Sequence, residues 1–410
     1  MKSEIIYKND HVSNIYGACT CCYNNIKDIS YLEKENYIAK RVNAGHDSIL
    51  EHGKLAIKIT DITNLEEIIE LTTSEFSRYL EFYTENYYKT KSKLFKKNEL
   101  AYNLIINGNM RSYKYFLHNI SSYDVMSNQL IRSICYLLSD NTVKELYGKD
   151  FTIDDIELPF TKVENFFNEK LEDGFNADEK SDSDMHYTNI SRDNIVNVPV
   201  ADNKVNKTVD IGIDLNMFKK LYKDEKVKFD LIPYIIPVTI VFKNVSRTAT
   251  HQIVRHRNAI TQESQRYVDS SNASFTIPMQ GYTSKEEYGI KLCDAFKYYT
   301  LDELANELIS VYSQLLADDK SIKKEEARGY LPANVNCRKL YMTFSLFSLS
   351  QFIKLRTDPH AQYEIRQYAI TIRDTLGKMI NDEFYSNQEE IGTDPIAEYI
   401  KGLIGISKDV

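Results

Sequence analysis

The stretch from residue 247 to residue 267 carries a dense set of recognition groups, with the triplet Arg255-His256-Arg257 near its centre. Guanidinium groups offer five donors in a planar fork, which suits phosphate oxygens and the polar edge of a planar base or flavin. Residues 262–265 add amide, carboxylate and hydroxyl groups. A solvated helix end would explain an isolated Arg-X-Arg triplet. The whole stretch instead favours a site for an anionic, planar ligand.

The elements that must position these groups follow from hydrophobic spacing. Thr250, Ile253 and Val254 recur at helical intervals, which predicts a helix for the first half of the stretch and a loop for the second. The apolar segment 231–242 predicts a strand that leads directly into this helix. After Pro332, the sequence predicts a long helical region that continues to about residue 351.

Two other parts of the chain have a distinct character. Alternating apolar residues predict strands at 4–7 and 54–60. Residues 174–184 are polar, acidic and rich in residues that break secondary structure, which indicates a linker or an exposed loop.

Composition excludes several classes of protein. A chain of 410 residues with 42% hydrophobic residues can bury a sizeable core in two or three domains. A net charge of -8 disfavours a long nucleic acid as partner. The sequence has no apolar run long enough to span a bilayer and no signal-peptide core at its start, so we expect a cytoplasmic protein without a membrane partner. Cysteines at 19, 21 and 22 lack a second Cys or His pair at zinc spacing, so we expect reduced thiols and no metal site.

The Arg-His-Arg triplet, with Ser264 and Arg266-Tyr267 after it, resembles the signature of the flavin-dependent thymidylate synthases. One departure is visible, because the interval from Asn258 to Glu263 is one residue shorter than the family usually has. Three further segments resemble family motifs: Gly45-His46-Asp47-Ser48-Ile49-Leu50-Glu51-His52 before a strand, Ala327-Arg328-Gly329-Tyr330-Leu331-Pro332, and Leu355-Arg356 followed by His360-Ala361-Gln362-Tyr363-Glu364-Ile365-Arg366.

The resemblance implies an α+β fold, with a twisted, mainly antiparallel sheet packed by long helices. It also implies an activity, the methylation of dUMP to dTMP with methylenetetrahydrofolate as carbon donor and NADPH as the reductant of a bound FAD. Arg356 would be catalytic, because a fixed guanidinium favours the N3-ionised uracil. The residues implied to bind dUMP are Gln252, Arg255, Gln262, Glu263, Ser264, Gln265, Arg266, Arg328 and Arg356. Those implied to contact FAD are His52, Asn109, Arg111, Arg255, His256, Arg257 and His360.

The family's site residues are divided between two regions of this chain. The first region keeps the flavin-side Glu-His pair at 51–52 and the Asn-X-Arg element at 109–111. Counting from the motifs of the second region, Tyr234-Ile235 and Ser345-X-Phe347 occupy the same places. The second region keeps the triplet and the substrate arginines, so the losses are complementary.

We therefore predict two degenerate copies of the synthase fold fused in tandem, at 1–150 and 195–410, with 151–194 as a linker or insertion. The family's active site lies at subunit contacts of a homotetramer, so a homodimer of this chain acting as a pseudo-tetramer is expected. A single synthase domain with a long insertion is the alternative architecture. The alternative functions are a flavin-dependent pyrimidine nucleotide hydroxymethylase and a non-catalytic nucleotide-binding relic of the family.

Overall fold

A computed structural model describes eleven stretches of the chain: residues 1–9, 11–23, 29–92, 97–119, 128–138, 195–200, 206–223, 227–276, 290–291, 298–385 and 394–406. These residues divide into two compact units. The first unit takes the described residues of 1–16, 28–189 and 223–228, and the second takes those of 17–27, 190–222 and 229–410. The predicted linker, 151–194, lies outside the described residues.

The strands, in chain order, are β1 Lys2–Lys8, β2 Lys54–Ile62, β3 Glu81–Ser92, β4 Lys97–Asn109, β5 Ile195–Pro199, β6 Thr208–Ile213, β7 Pro237–Ser246, β8 Ala259–Gln262, β9 Ile290–Lys291, β10 Tyr298–Tyr299 and β11 Asn336–Ser345. The α-helices are α1 His11–Tyr23, α2 Tyr31–Asn43, α3 Leu65–Thr73, α4 Met110–Asn119, α5 Gln129–Leu138, α6 Leu215–Lys223, α7 Ile232–Ile235, α8 Arg247–Ile253, α9 Leu301–Asp318, α10 Lys324–Ala327, α11 Leu346–Arg356, α12 Tyr363–Tyr385 and α13 Pro395–Leu403. Short 3-10 turns occur at Asp47–His52, Glu75–Arg78, Phe229–Leu231, Val254–His256 and Arg328–Tyr330.

The first unit is built on an antiparallel sheet of order β1-β2-β4-β3. Strand β2 lies inside this sheet, and its residues from Leu55 to Ile59 are buried. Tyr113 on α4 is fully buried and donates its hydroxyl to the carbonyl of Ile106 at 3.1 Å, which fixes the helix against β4. The predicted strands at 4–7 and 54–60 are confirmed.

The second unit is built on a five-stranded antiparallel sheet of order β5-β6-β7-β11-β8. Helices α11 and α12 cover it through a cluster of buried aromatic rings. The ring of Phe352 on α11 lies 6.1 Å from that of Phe242 on β7, which in turn lies 5.4 Å from the ring of Tyr368 on α12. This core fixes the position of α11, which ends at Arg356.

Helix α8 begins where the sequence predicted, because Ser246 caps it by accepting a hydrogen bond from the Ala249 N–H at 3.1 Å. The expected strand at 231–242 is partly wrong. Residues 232–235 form a helical turn, with the proline at 233 in its first turn, and β7 starts only at Pro237.

The long helix expected after Pro332 is wrong as well. Residues 336–345 form β11, which pairs with β7 on one side and β8 on the other, and the helix starts only at Leu346. The predicted loop after the triplet contains β8, which pairs with β11 between Leu340 and Thr343. Aromatic and β-branched residues favour strands when neighbouring strands supply hydrogen bonds.

The structure confirms the α+β class, with helices packed on antiparallel sheets. The order β1-β2-β4-β3 matches the order β6-β7-β11-β8. In these matching orders, the second strand (β2 or β7) is followed by a short helix and a 3-10 turn. The third strand (β4 or β11) leads directly into a helix, α4 or α11. Among the described residues, no helix has the length and apolar character needed to cross a membrane.

Candidate functional site

A cavity of about 470 Å³ lies in the second unit. Arg247 and His251 both line it, because residues four apart share one face of helix α8. The segment 262–265 forms another part of its wall, so the residues after the triplet return to the helix that precedes it. The remaining lining residues are Arg328, Leu331, Pro332, Ala333 and Val335.

Three polar side-chain atoms of this cavity wall are buried and, among the described residues, have no hydrogen-bond partner: Arg247 Nε, Gln262 Oε1 and Glu263 Oε2. Unpaired buried polar atoms are destabilising by about 1–3 kcal/mol each. Burial raises the pKa of the Glu263 carboxyl, although Arg338 and Arg247 act in the opposite direction. The wall therefore offers one donor and two acceptors that a polar ligand would satisfy.

Backbone hydrogen bonds hold this wall in place. The Arg247 guanidinium donates through Nη2 to the carbonyl of Glu263 at 2.7 Å, and the Arg247 N–H donates to the carbonyl of Val335 at 2.9 Å. The Ser264 N–H donates to the carbonyl of Cys22 at 3.1 Å. Because that amide is already paired, Ser264 can meet a ligand only through its hydroxyl.

A second cluster surrounds the guanidinium of Arg356. Its Nε donates to Nε2 of His256 at 2.9 Å. Its terminal nitrogens donate to the side-chain oxygen of Gln252 at 3.4 Å and to the carbonyl of Gln252 at 3.3 Å. The Gln252 amide is itself held by Gln362 at 3.0 Å. All acceptors of the guanidinium are neutral, so its orientation is fixed while its charge is not cancelled.

The charge of the His256 ring and the position of its proton follow from the contact with Arg356. Burial and the neighbouring Arg356 lower the pKa of His256 to about 4, so the ring is neutral near pH 7. Nε2 accepts from Arg356, so the ring proton lies on Nδ1. The ring of Phe352 meets the imidazole edge-on at 4.9 Å. Burial and the nearby Arg255 lower the pKa of Arg356, because both oppose its positive charge.

Other arginines of the predicted site are exposed. The side chains of Arg255 and Arg257 have no hydrogen-bond or ion-pair partner within the part of the chain that the structure describes. Arg257 has a left-handed backbone, with φ of 51°, which is uncommon for a residue other than glycine and typical of functional sites. Arg266 forms an exposed ion pair with Glu325 at 2.6 Å.

The remaining predicted cofactor residues lie in different surroundings. The His360 side chain is 97% exposed and contacts Asp358 at 2.9 Å. In the first unit, the His52 side chain is buried, and burial together with Lys54 lowers its pKa to about 3. Arg111 forms an ion pair with Glu51 and donates to the Tyr115 hydroxyl at 3.1 Å. Asn109 caps helix α4 by accepting from the Ser112 N–H at 2.9 Å.

The second unit thus brings together two sets of predicted residues. Gln262, Glu263, Ser264, Gln265 and Arg328 meet in the cavity. Gln252, His256 and Arg356 meet around the guanidinium.

Sequence reasoning missed three participants, namely Arg247 and His251 in the cavity and Gln362 behind Gln252. The spacing of Arg247 and His251, four residues apart on a predicted helix, was an available signal for the first two.

The family model described as thymidylate synthase complementing protein matches residues 235–380, which lie in the second unit. The flavin-dependent thymidylate synthase of Pyrococcus furiosus is 34% identical over 145 residues, which are 34% of this chain and 54% of that protein. The chain therefore spans about half the length of this relative.

The flavin-dependent thymidylate synthase of Thermotoga neapolitana is 30% identical over 194 residues, which cover 43% of this chain and 86% of that protein. A crystal structure of the flavin-dependent thymidylate synthase of Helicobacter pylori, complexed with FAD and dUMP, matches 42% of this chain and 84% of its own at 19% identity. Its TM-score is 0.29, which is too low for a comparison of individual residues.

Proposed function

We propose that this chain, which belongs to the flavin-dependent thymidylate synthase family, reductively methylates dUMP to dTMP. Methylenetetrahydrofolate would be the carbon donor, FAD the hydride carrier and NADPH the reductant. The observation that carries the proposal is the cavity in which five of the residues expected to bind dUMP meet.

The cavity has the groups that a nucleotide monophosphate needs. Arg328 and Arg247 supply positive charge for the phosphate, and the Ser264 hydroxyl supplies a further donor. Gln262 Oε1 and Glu263 Oε2 have no hydrogen-bond partner among the described residues, although Arg338 Nε lies 3.8 Å from Glu263 Oε2. Both oxygens can accept hydrogen bonds from sugar hydroxyls or from a base N–H. Binding would thus supply hydrogen bonds that the described residues leave unmade.

Arg356 is the group that we assign to activation of the uracil ring. Its guanidinium is held by His256 and Gln252, both neutral, and no acidic side chain of the described residues pairs with it. A fixed and uncompensated cation stabilises negative charge that develops on a substrate. It would favour the N3-ionised uracil and so make C5 more nucleophilic.

FAD fits the exposed face of the triplet. Arg255 and Arg257 are two exposed guanidinium groups without acidic partners among the described residues, a donor set suited to the phosphates of a dinucleotide cofactor. When bound, FAD would carry the hydride that reduces the transferred carbon. For His52, Asn109, Arg111 and His360, contact with FAD stays a prediction.

We further propose that the chain is a tandem repeat whose copies divide the family's site residues. The matching strand orders support this, and so do equivalent hydrogen bonds. The Met110 N–H donates to the carbonyl of Gly53 at 2.9 Å, and the Leu346 N–H donates to the carbonyl of Ile236 at the same distance. Both bonds join the start of the helix after the third strand to the residue before the second strand.

A pair of side chains beside these bonds also corresponds. In the first unit Glu51 forms an ion pair with Arg111. At the equivalent places of the second unit, Tyr234 stacks on Phe347 with ring centroids 4.3 Å apart. Residues at the same offsets are thus in contact in both units, with different chemistry.

Exchanging the stacked pair for an ion pair tests this correspondence. Tyr234→Glu and Phe347→Arg should each lower the free energy of unfolding, because each leaves one half-buried charge against an aromatic ring. The double variant should recover part of the loss, with a coupling energy of roughly 0.5–3 kcal/mol in a denaturant-based double-mutant cycle. Strictly additive effects would count against the repeat.

We also propose a homodimer of this chain, which predicts a particle of two chains in light scattering.

The function is tested by the flavin spectrum and by the product. Purified protein should show oxidised-flavin absorbance that shifts when dUMP is added. NADPH oxidation should then require both dUMP and methylenetetrahydrofolate and should yield dTMP by mass spectrometry. A hydroxymethylated nucleotide would indicate the hydroxymethylase instead, and a protein that cannot be loaded with FAD would refute the proposal.

A further inference from the structure

A buried ion pair lies outside the cavity and holds the start of helix α8. The Lys207 Nζ is 3.2 Å from Glu364 Oε1, and the two side chains are only 1% and 2% exposed. The same Oε1 accepts a hydrogen bond from the Ser246 N–H at 2.8 Å, and Oε2 accepts one from the Ser246 hydroxyl. The hydroxyl oxygen of Ser246 in turn accepts from the Ala249 N–H at 3.1 Å. Charge on Lys207 is therefore connected, through one carboxylate, to the cap of the helix.

Stability alone does not account for this arrangement. Two charges removed from water lose hydration that their mutual attraction often fails to recover, and an apolar pair of similar volume is frequently as stable. What Glu364 adds is geometry, because its two oxygens hold both the amide and the hydroxyl of Ser246. A neutral amide at this position has only one acceptor oxygen, so it could not accept from these two groups through separate oxygens.

The position of Ser246 determines the position of both clusters of the site. Helix α8 has only seven residues, so its start and its functional side chains lie within two turns. Arg247 and His251 project from it into the cavity. Gln252, near its end, accepts from Arg356 and is held by Gln362, which lies two residues before Glu364. Glu364 therefore joins the start of α12 to the helix that carries both sets of contacts.

We propose that Lys207 and Glu364 are positioning residues for the nucleotide site, a role that deepens the proposed function and rests on it. Lys207 stabilises the charge of Glu364, and Glu364 holds Ser246 so that Arg247 and Gln252 project at the angles that dUMP requires. Neither side chain contacts the ligand. The pair acts through the orientation of helix α8.

Four variants of the flavin-loaded full chain test this role. Lys207→Met and Glu364→Gln each remove one charge, and the double variant K207M/E364Q removes both and leaves no buried charge unpaired. Lys219→Met is the matched control, because Lys219 pairs with Glu383 at 2.8 Å in the same unit but outside the cap of α8. The measurements are the Kd for dUMP by calorimetry, the thermal unfolding midpoint, and hydrogen exchange of a peptide covering residues 246–256.

We expect each single variant to weaken dUMP binding about tenfold, the size of one well-placed charged hydrogen bond. The double variant should recover the unfolding midpoint yet still bind dUMP about fivefold more weakly, with faster exchange in 246–256. The control should change the Kd by less than about twofold, as for a partly exposed ion pair. These results together would distinguish an effect on the orientation of helix α8 from an effect on the stability of the fold.

A double variant with wild-type affinity and wild-type exchange in 246–256 would overturn the inference and leave the proposed function intact. If instead the flavin-loaded wild-type protein binds no dUMP, the proposed function fails. The exchange measurement still decides whether the pair holds helix α8, because it needs no ligand.

Discussion

The neutral acceptors around Arg356 give a direct test of how this residue acts. Gln252→Glu replaces an amide with a carboxylate of nearly the same shape, 3.4 Å from a terminal nitrogen of Arg356. The new carboxylate can still accept from the guanidinium, and a flipped amide of Gln362 can donate to it. The substitution therefore keeps the geometry and cancels the charge.

The size of the effect follows from the distances. At 3.4 Å and an effective dielectric constant of 20, the new pair attracts by about 5 kcal/mol, so the guanidinium remains fixed. A uracil anion on the far side of the guanidinium would lie about 7 Å from the carboxylate. Their repulsion is then about 2 kcal/mol, which corresponds to a rate about 30-fold lower. Because the charge develops during the reaction, kcat should fall more than the KM for dUMP rises.

The assay is the release of tritium from dUMP labelled at C5, measured over a range of dUMP concentrations. Gln351→Glu, an exposed change of the same charge on the same helix as Arg356, is the control and should leave kcat within about twofold. A Gln252→Glu protein with wild-type kcat would refute the argument that Arg356 needs neutral acceptors. A fall in kcat for both variants would refute it as well, because a general charge effect would then suffice.

The other predictions use the same protein. Arg328→Ala should raise the Kd for dUMP about ten- to a hundredfold in calorimetry, because it removes a charged donor from the cavity, and an unchanged Kd would exclude Arg328 from the site. The pKa of His256 is lowered from 6.5 to about 4, so the folded state binds fewer protons than the unfolded state in this window. The contribution of neutral His256 to the stability of the fold is complete above pH 6.5 and is lost as the pH falls towards 4. The unfolding midpoint should therefore drop over this range, and by less in His256→Gln. Equal drops in the two proteins would contradict the assignment. Burial raises the pKa of the Cys337 thiol to about 11, so Cys337→Ala should keep turnover within a few fold when circular dichroism shows a folded protein, and complete loss would indicate a thiol nucleophile.

Local features of the fold were predictable from the sequence. Helix α8 was predicted because the apolar spacing of Thr250, Ile253 and Val254 is helical, and the structure adds the cap at Ser246. Strand β11 was not found, because its hydrogen bonds come from β7 and β8, which are distant in sequence. Its interior residues, such as Tyr341 and Phe344, are compatible with either a helix or a strand until those neighbours are known.

The site shows the same division between local and distant information. Motifs identified Ser264, Arg328 and Arg356 as candidate site residues, because each stands in a short pattern. The contact between Arg356 and His256 joins residues 100 positions apart, and the proposed role of Glu364 depends on Lys207, which lies just before strand β6. Sequence spacing carries no information about such contacts, whereas they determine which charges are compensated and which remain available to a ligand.

The corresponding side-chain pairs in the two units help to separate what folding requires from what ligand binding would require. Tyr234 and Phe347 stack where Glu51 and Arg111 form an ion pair, so this place in the fold needs a contact but not a charge. The side chains of Arg111 and Glu51 are 33% and 28% exposed, and an ion pair of this kind stabilises a protein by about 1 kcal/mol at most. An aromatic pair, worth about 0.5–1.5 kcal/mol beyond its burial, would serve folding equally well. Folding therefore does not require a guanidinium at position 111, and the proposed recognition of an anionic ligand such as a flavin phosphate would account for one.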